Sequence, residues 1–511
     1  MKMWERALKS SRVQEFKGSR VMGYFPENKQ KSFYFQIITQ IGLPFTNNAY
    51  LCNAKRDFYF PHNCSTDISE ISQVAQTEMV IQRAADLSIM KKIRLSMIAT
   101  MIACSSSVFA SCSSDNDDNP ANHAAALAEK YDLNKPFGFC TMASRSDSTS
   151  TYNITGGGSY TYPVTDGGSG VLLLKSNGQD MKSTIEEAIK NDENKIIIFD
   201  GSNGDFIVSS TIKLTVSRKT LLGINNARLC TQWVLTDEIK KALNDAGVPN
   251  MSTSDGGGEL INGTSVKEEA EYNTRKIIIE MTGDQDENYR RAGIFTLNKC
   301  ENIIIRNLKL VGPGAFDVGG NDLISSTGTK NCWVDHCEFT DGMDGNFDIT
   351  KSSDFHTVSW CTFSYTKRSY MHKNSNLIGG SDSEPVGFLN STFAFNWWGT
   401  DCQGRTPMGR IGNIHVFNNY YSCTTNENSV NPRINSEFLI EGNYFDKGVT
   451  KFYSQRDAIA VTWASDNYIA EATSLPSSLG SPVSVPYKYT VAPVADVPAL
   501  VKHHAGATLF R

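Results

Sequence analysis

Ile304-Ile305-Arg306-Asn307-Leu308-Lys309-Leu310 opens a series of short blocks built alike. Trp333-Val334-Asp335-His336-Cys337-Glu338-Phe339 and Val358-Ser359-Trp360-Cys361-Thr362-Phe363 follow it. Leu389-Asn390-Ser391-Thr392-Phe393, Phe417-Asn418-Asn419-Tyr420-Tyr421 and Glu441-Gly442-Asn443-Tyr444-Phe445 complete the set. Aligned on their last residues, the blocks lie 29, 24, 30, 28 and 24 residues apart. Short alternating strands at a period in the twenties describe stacked coils, not a closed sheet. The unequal intervals put the variation into loops while the strands keep register. Two residues before the aromatic column stand Leu308, Cys337, Cys361, Ser391, Asn419 and Asn443. Equivalent residues of successive coils lie ~4.8 Å apart. Small polar side chains in such a column can pass hydrogen bonds from coil to coil, and the aromatics, at the same parity, stack in the core. The expected fold class is all-β, a right-handed parallel β-helix.

Upstream of the repeats, Ser183-Thr184-Ile185-Glu186-Glu187-Ala188-Ile189 reads as a short capped helix with Ile185, Ala188 and Ile189 on one face. It is suited to cover the open first coil. Residues 232–274 break the strand pattern with a helical run, Thr236 to Leu243, and a Gly-rich stretch, and are read as an excursion from the main body. No second linker appears after Pro136, so 136–511 is expected to be one domain.

The chain has 511 residues, 40% hydrophobic, with a formal net charge of −5. Bulk attraction to nucleic acid or to an anionic membrane is therefore not expected. Twelve Cys are too few for a disulfide-stapled scaffold. Cys332, Cys337 and Cys361 contain no C-x-x-C pair, and the 24-residue gap between the last two is the coil period, so they read as ladder residues rather than metal ligands.

Met90 begins MKKIRLSMIATMIACSSSVFASCSSDNDDN. A basic start, a mostly apolar small-residue stretch and a small pair, Ala110-Ser111, before Cys112 are in the order of a secretory leader. The segment resembles a bacterial lipoprotein signal, which implies lipidation at Cys112 and residues 90–111 as signal peptide. Residues 112–135 then form an acidic tether, and 1–89 are read as an over-extended start. The implied location is outside the cytoplasm, at the outer membrane and cell surface through the lipid anchor alone, or secreted.

Asp341-Gly-Met-Asp344-Gly-Asn-Phe-Asp348 sets three carboxylates on a Gly-rich turn between two expected strands, oxygen ligands suited to a hard cation. Arg405-Thr-Pro-Met-Gly-Arg410 comes one or two coils later and adds two guanidiniums suited to carboxylate binding. In order, Trp333-Val-Asp-His336, Asp344-Gly-x-x-Asp348, Thr357-Val-Ser-Trp360, Asn376-Leu-Ile-Gly379-x-Ser-Asp382, Arg405-x-Pro-x-x-Arg410 and His415-Val-Phe-Asn418-Asn419-Tyr420-Tyr421 resemble the pectate lyases of polysaccharide lyase family one. The resemblance is densest from about 295 to 445. It implies an enzyme that cleaves α-1,4-polygalacturonate by Ca2+-dependent β-elimination; a monomer is the default expectation, independent of the resemblance. Asp344 and Asp348 would hold Ca2+, with Asp341 a candidate third ligand. Arg405 would be the catalytic base, and Arg410 would hold a substrate carboxylate. A substrate-binding Lys maps to Lys367, or to Lys373 if the loop is read differently. His336 and His415 are expected to be structural, and Trp397 and Trp398 either stack on sugar or close a coil.

Three rivals remain within reach of the same coils. A pectin lyase acting on methyl-esterified chains would not need the retained acids. A polygalacturonase would hydrolyse with paired Asp and no Arg-x-Pro-x-x-Arg motif. A non-catalytic glycan-binding β-helix would have no need of the cleft residues.

Overall fold

The computed structural model describes residues 131–158, 168–248, 260–261, 264–316, 319–472 and 474–510. All belong to one compact unit, Asp115–Arg511. The leader, Cys112 and most of the tether lie outside the described residues.

Among the described residues the strands build three all-parallel sheets of ten, nine and seven strands, plus a two-stranded hairpin. Successive coils lay one strand on each sheet. Ile324–Thr327 (seven-stranded), Lys330–Asp335 (ten-stranded) and Glu338–Thr340 (nine-stranded) make one coil; Phe347–Thr350, Asp354–Ser359 and Thr362–Ser364 make the next. The register is in step on all three faces, for example Ser325 against Asp348, Val334 against Val358 and Phe339 against Phe363. This is the right-handed parallel β-helix expected from the repeats.

One coil is assigned differently from the sequence reading. Phe393 lies in Ser391–Ala394 of the ten-stranded sheet, paired with Val358 and Val416. The aromatic column runs instead through Leu310, Phe339, Phe363, Trp398, Tyr421 and Phe445. The polar column shifts with it. Asn396, not Ser391, follows Cys361 at an interval of 35 residues, because the loop after Thr362–Ser364 is long. Asn396, Asn419, Asn443 and Asn467 form the ladder. Each Oδ1 of the last three accepts from the backbone N–H and the side-chain Nδ2 of the Asn one coil before it, at 2.9–3.0 Å. Above it the rings of Phe363, Trp398, Tyr421 and Phe445 stack, with centroids 5.6, 4.9 and 4.3 Å apart. Each such pair adds roughly 0.5–1.5 kcal/mol beyond area burial.

Helix α1, Lys182–Lys190, buries Ile185, Ala188 and Ile189 in the main core, as expected of the cap. Its first turn is not closed by Ser183: Asp180 Oδ1 accepts from Lys182 N at 3.0 Å. Glu186 instead accepts from Lys213 N, on strand Ile212–Leu214 of the seven-stranded sheet, at 2.9 Å. The excursion contains α2, Asp237–Asp245, capped by Thr236, and runs into α3, Val266–Thr282. Leu235, Ile239, Leu243 and Ile278 pack with Tyr289, Phe316, Met343 and Met371, so the excursion rests on the loops beside the acidic turn. Helix α4, Val497–His504, packs Val497, Leu500 and Val501 on Trp360, Phe395, Phe417 and Tyr420. Tyr131 and Leu133 join that cluster, and Leu133 O accepts from Arg306 Nη2 at 2.7 Å, so packing starts a few residues before Pro136.

His336 and His415 are packed inside the coils, and the described cysteines carry no disulfide. His336 is fully buried, bonded through Nδ1 to Asp335 Oδ2 at 2.7 Å. His415 Nε2 lies 2.9 Å from Glu441 Oε1 and its ring stacks on Phe417. The eight described Cys are free thiols, all buried except Cys230. Trp398 is core, and half-buried Trp397 bonds to Ser422 Oγ at 2.8 Å. Among the described residues no helix is long and apolar enough to cross a membrane.

Candidate active site

The seven-stranded sheet brings the two motifs together. Phe347–Thr350, Leu377–Ile378 and Met408–Gly409 are its consecutive strands. Asp348 points outward from the first and accepts from Leu377 N at 3.1 Å. Asn376 N donates to Arg405 O at 2.7 Å, which ties the coil after Asp348 to that of Arg405. The acidic turn and the Arg-x-Pro-x-x-Arg segment therefore line one face, two coils apart.

A third carboxylate enters that face from the coil before. Asp322 is 8% exposed, and its Oδ1 has no hydrogen-bond partner among the described residues, while Oδ2 accepts from Ser325 Oγ at 2.8 Å. A Cβ at Gly345 would lie 2.9 Å from Asp322 Oδ1 and 3.2 Å from Asp348 Oδ1. Glycine there leaves open the space that both carboxylates face. Asp344 sits beside them, held at 3.0 Å by His372 Nε2. Burial pushes the Asp348 carboxyl up to about 7; Arg405 opposes the rise and Asp344 adds to it. Burial likewise raises Asp322 well above the usual range, reinforced by Asp348 and Asp344 and opposed by Arg405. Carboxyls so held are uncomfortable without a compensating cation.

Arg405 has a left-handed backbone (φ 55°), and its buried Nε has no hydrogen-bond partner among the described residues. Its guanidinium is felt by both Asp348 and Asp322. Arg410 is fixed differently. Nε donates to Asp382 Oδ1 at 2.7 Å and Nη1 to Gly379 O at 2.8 Å. Burial lowers its pKa, and the cations Arg433 and Arg405 add to that, against the pull of Asp382.

Two expected site residues stand elsewhere. Asp341 is 1% exposed, and its oxygens accept from Thr366 N, Thr366 Oγ1 and Ser369 Oγ at 2.7–2.8 Å. It fastens the loop after Thr362–Ser364, while Asp322 is the carboxylate that faces Asp348 across Gly345. Lys367 is exposed on that loop; its carbonyl accepts from Lys240 Nζ at 2.7 Å, and its charge acts on Asp237 of α2. Lys373 is the better-placed cation. It precedes Asn374, which bridges Gly404 beside Arg405, and its Nζ is held 2.9 Å from Asp401 Oδ2. The sequence signal for Asp322 was its outward place in Asn321-Asp322-Leu323-Ile324-Ser325, one coil ahead of the acidic turn.

Among the described residues no group of three or more Asp, Glu, His or Cys is drawn together closely enough to hold a metal ion as it stands. The donor set nevertheless fits a hard divalent cation: carboxylate oxygens only, one of them buried and unpartnered, around a glycine-sized gap.

A family model described as pectate lyase matches residues 236–508. Over 219 residues the chain is 36% identical to pectate lyase A of Aspergillus niger, covering 41% of this chain and 63% of that one. Over 220 residues it is 30% identical to a pectate trisaccharide-lyase of Bacillus licheniformis, covering 41% and 60%. The matched stretch thus spans less than two thirds of these relatives. A pectate lyase of Bacillus sp. N165, solved in complex with trigalacturonate, aligns with 74% of this chain and 100% of that one at 18% identity and a TM-score of 0.45.

Proposed function

The chain belongs to the pectate lyase family, and from that premise we propose that it cleaves α-1,4-polygalacturonate by calcium-dependent β-elimination, leaving a 4,5-unsaturated end. The observation that carries the reading is the cluster of Asp322, Asp344 and Asp348 on the same face as Arg405. Those three acids would hold Ca2+. A bound Ca2+ supplies charge neutralisation at the substrate carboxylate, which makes the α proton on C5 more acidic.

The chain's own residues do the rest. Arg410, pinned by Asp382 and Gly379 O, presents a pre-oriented guanidinium to a second carboxylate. Lys373, paired with Asp401 on the coil of Arg405, is the lysine proposed to bind substrate. Arg405 takes the C5 proton, the electron pair becomes the C4–C5 double bond, and the C4 oxygen leaves, to be protonated by solvent. Its unpartnered Nε leaves Arg405 less tied than Arg410, as a group that must exchange a proton requires.

The leader before Cys112 extends the proposal to location: the enzyme is exported, lipidated at Cys112, and meets polymer outside the cell as a monomer. The test is ultraviolet absorbance of the unsaturated product on polygalacturonate, with and without EDTA. A rise that EDTA abolishes supports the reading. An EDTA-resistant rise on methyl-esterified pectin alone, or reducing ends without absorbance, rejects it in favour of a pectin lyase or a hydrolase.

A further inference from the structure

Outward residues of the seven-stranded sheet form a track along the solenoid. Lys213 pairs with Thr296, Thr296 with Ser325 and Ser325 with Asp348. All four stand at the outward positions of their strands. Three coil steps separate Lys213 from Asp348, or ~14 Å at the spacing of paired strands. That end of the track opens into a cavity of about 420 Å³ lined by Lys182, Lys213, Arg291, Thr211, Thr296 and Asn321. Three of these are cationic and none is acidic. Lys182 is offset by Glu186 at 3.1 Å. Lys213 is exposed, and Arg291 bonds only to the neutral Asn288 Oδ1, at 3.2 Å, so neither forms an ion pair among the described residues. Asn321 adjoins Asp322, which joins the cavity to the acid cluster through the backbone.

We propose that this cavity is an outer subsite for a polyanionic sugar chain: Lys213 and Arg291 bind carboxylates of units a few residues from the bond being cleaved. The proposal rests on the lyase reading and deepens it. A chain lying along the track would put one carboxylate at Asp348 and another, several units away, in the basic cavity. Guanidinium and ammonium groups held in no ion pair suit that role, although Asp284 and Glu186 lie near Arg291 and Lys213. Short substrates reach the acid cluster without reaching Lys213, so the cavity sets a preference for long chains and leaves the chemistry alone.

The test compares Lys213→Ala/Arg291→Ala with the parent at saturating Ca2+. Expected is a KM for polygalacturonate raised about tenfold, the size of one or two lost charge-assisted contacts. The kcat, and all constants on trigalacturonate, stay at parent values. Titration calorimetry with polygalacturonate, in an Arg405→Lys background so that nothing is cleaved, should show the same tenfold loss, and none with the methyl ester. An unchanged affinity for the polymer overturns the proposal, as does an equal loss on trigalacturonate. Absence of cleavage by the parent would defeat the lyase reading alone and leave the calorimetry to judge the cavity.

Discussion

The Asn ladder and the acidic face are built from the same coils, yet they treat buried polarity in opposite ways. In the ladder the oxygens of Asn419, Asn443 and Asn467 each receive two N–H groups, and each Nδ2 also reaches a backbone carbonyl, as Asn419 does to Phe393 O at 2.9 Å. On the seven-stranded sheet Asp322 Oδ1, Arg405 Nε and Asn374 Oδ1 are buried with no partner among the described residues. A satisfied polar column rigidifies a core and specifies its register. An unsatisfied one costs stability and marks where something else must bind. Single unpartnered atoms such as Tyr421 Oη and His336 Nε2 occur elsewhere in the coils, but on the acidic face an unpartnered carboxylate oxygen and an unpartnered guanidinium nitrogen belong to charges that act on one another.

The comparison breaks most visibly at Arg405. Arg405→Lys keeps a cation but moves the proton-accepting group, and turnover should fall by at least about a thousandfold, with polygalacturonate affinity kept; steady-state rates and calorimetry read this. Near-parent turnover would remove Arg405 from the base role. The opposite outcome is expected in the ladder. Asn419→Ala strands the Asn396 amide groups and Phe393 O, at about 1–3 kcal/mol per buried group. Urea unfolding should show a loss of roughly 4 kcal/mol, while activity per folded molecule stays at the parent level.

A smaller effect sharpens the same contrast through pH. His356 is fully buried in the core, with Ser326 Oγ 2.9 Å from its Nε2, and burial pushes it down to about 4. The unfolded chain binds this proton near pH 6.5 and the folded chain only near pH 4, so the unfolded state takes up more protons as pH falls through that window. Stability should therefore drop from pH 6.5 towards 4, by about 3 kcal/mol relative to His356→Gln. Denaturant midpoints of the two proteins across that range measure the difference; parallel curves would mean that His356 protonates without cost.

The coils, the acidic turn and the Arg-x-Pro-x-x-Arg segment were legible because strand parity and period are local. The slip at Phe393 was not avoidable from pattern alone. Leu389 to Trp398 holds two aromatic-ended runs, each with a small polar residue two places earlier, Ser391 and Asn396. Only the length of the preceding loop chooses between them. Asp341 and Asp322 show the same limit at the site. Asp341 is near Asp344 in sequence and spends its oxygens on Thr366 and Ser369. Asp322 lies a whole coil earlier and becomes a neighbour only when the coils stack. Lys367 and Lys373 flank one loop, and packing against α2 draws Lys367 away.

Calcium titration of the protein and of Asp322→Asn by calorimetry goes to the centre of the account. The parent should bind Ca2+ through Asp322, Asp344 and Asp348. The variant keeps the shape, loses one charged donor, and should bind at least tenfold more weakly. Equal affinity in the two proteins would mean that the unpartnered oxygen of Asp322 is not a cation seat, and the acidic face would lose its assigned chemistry.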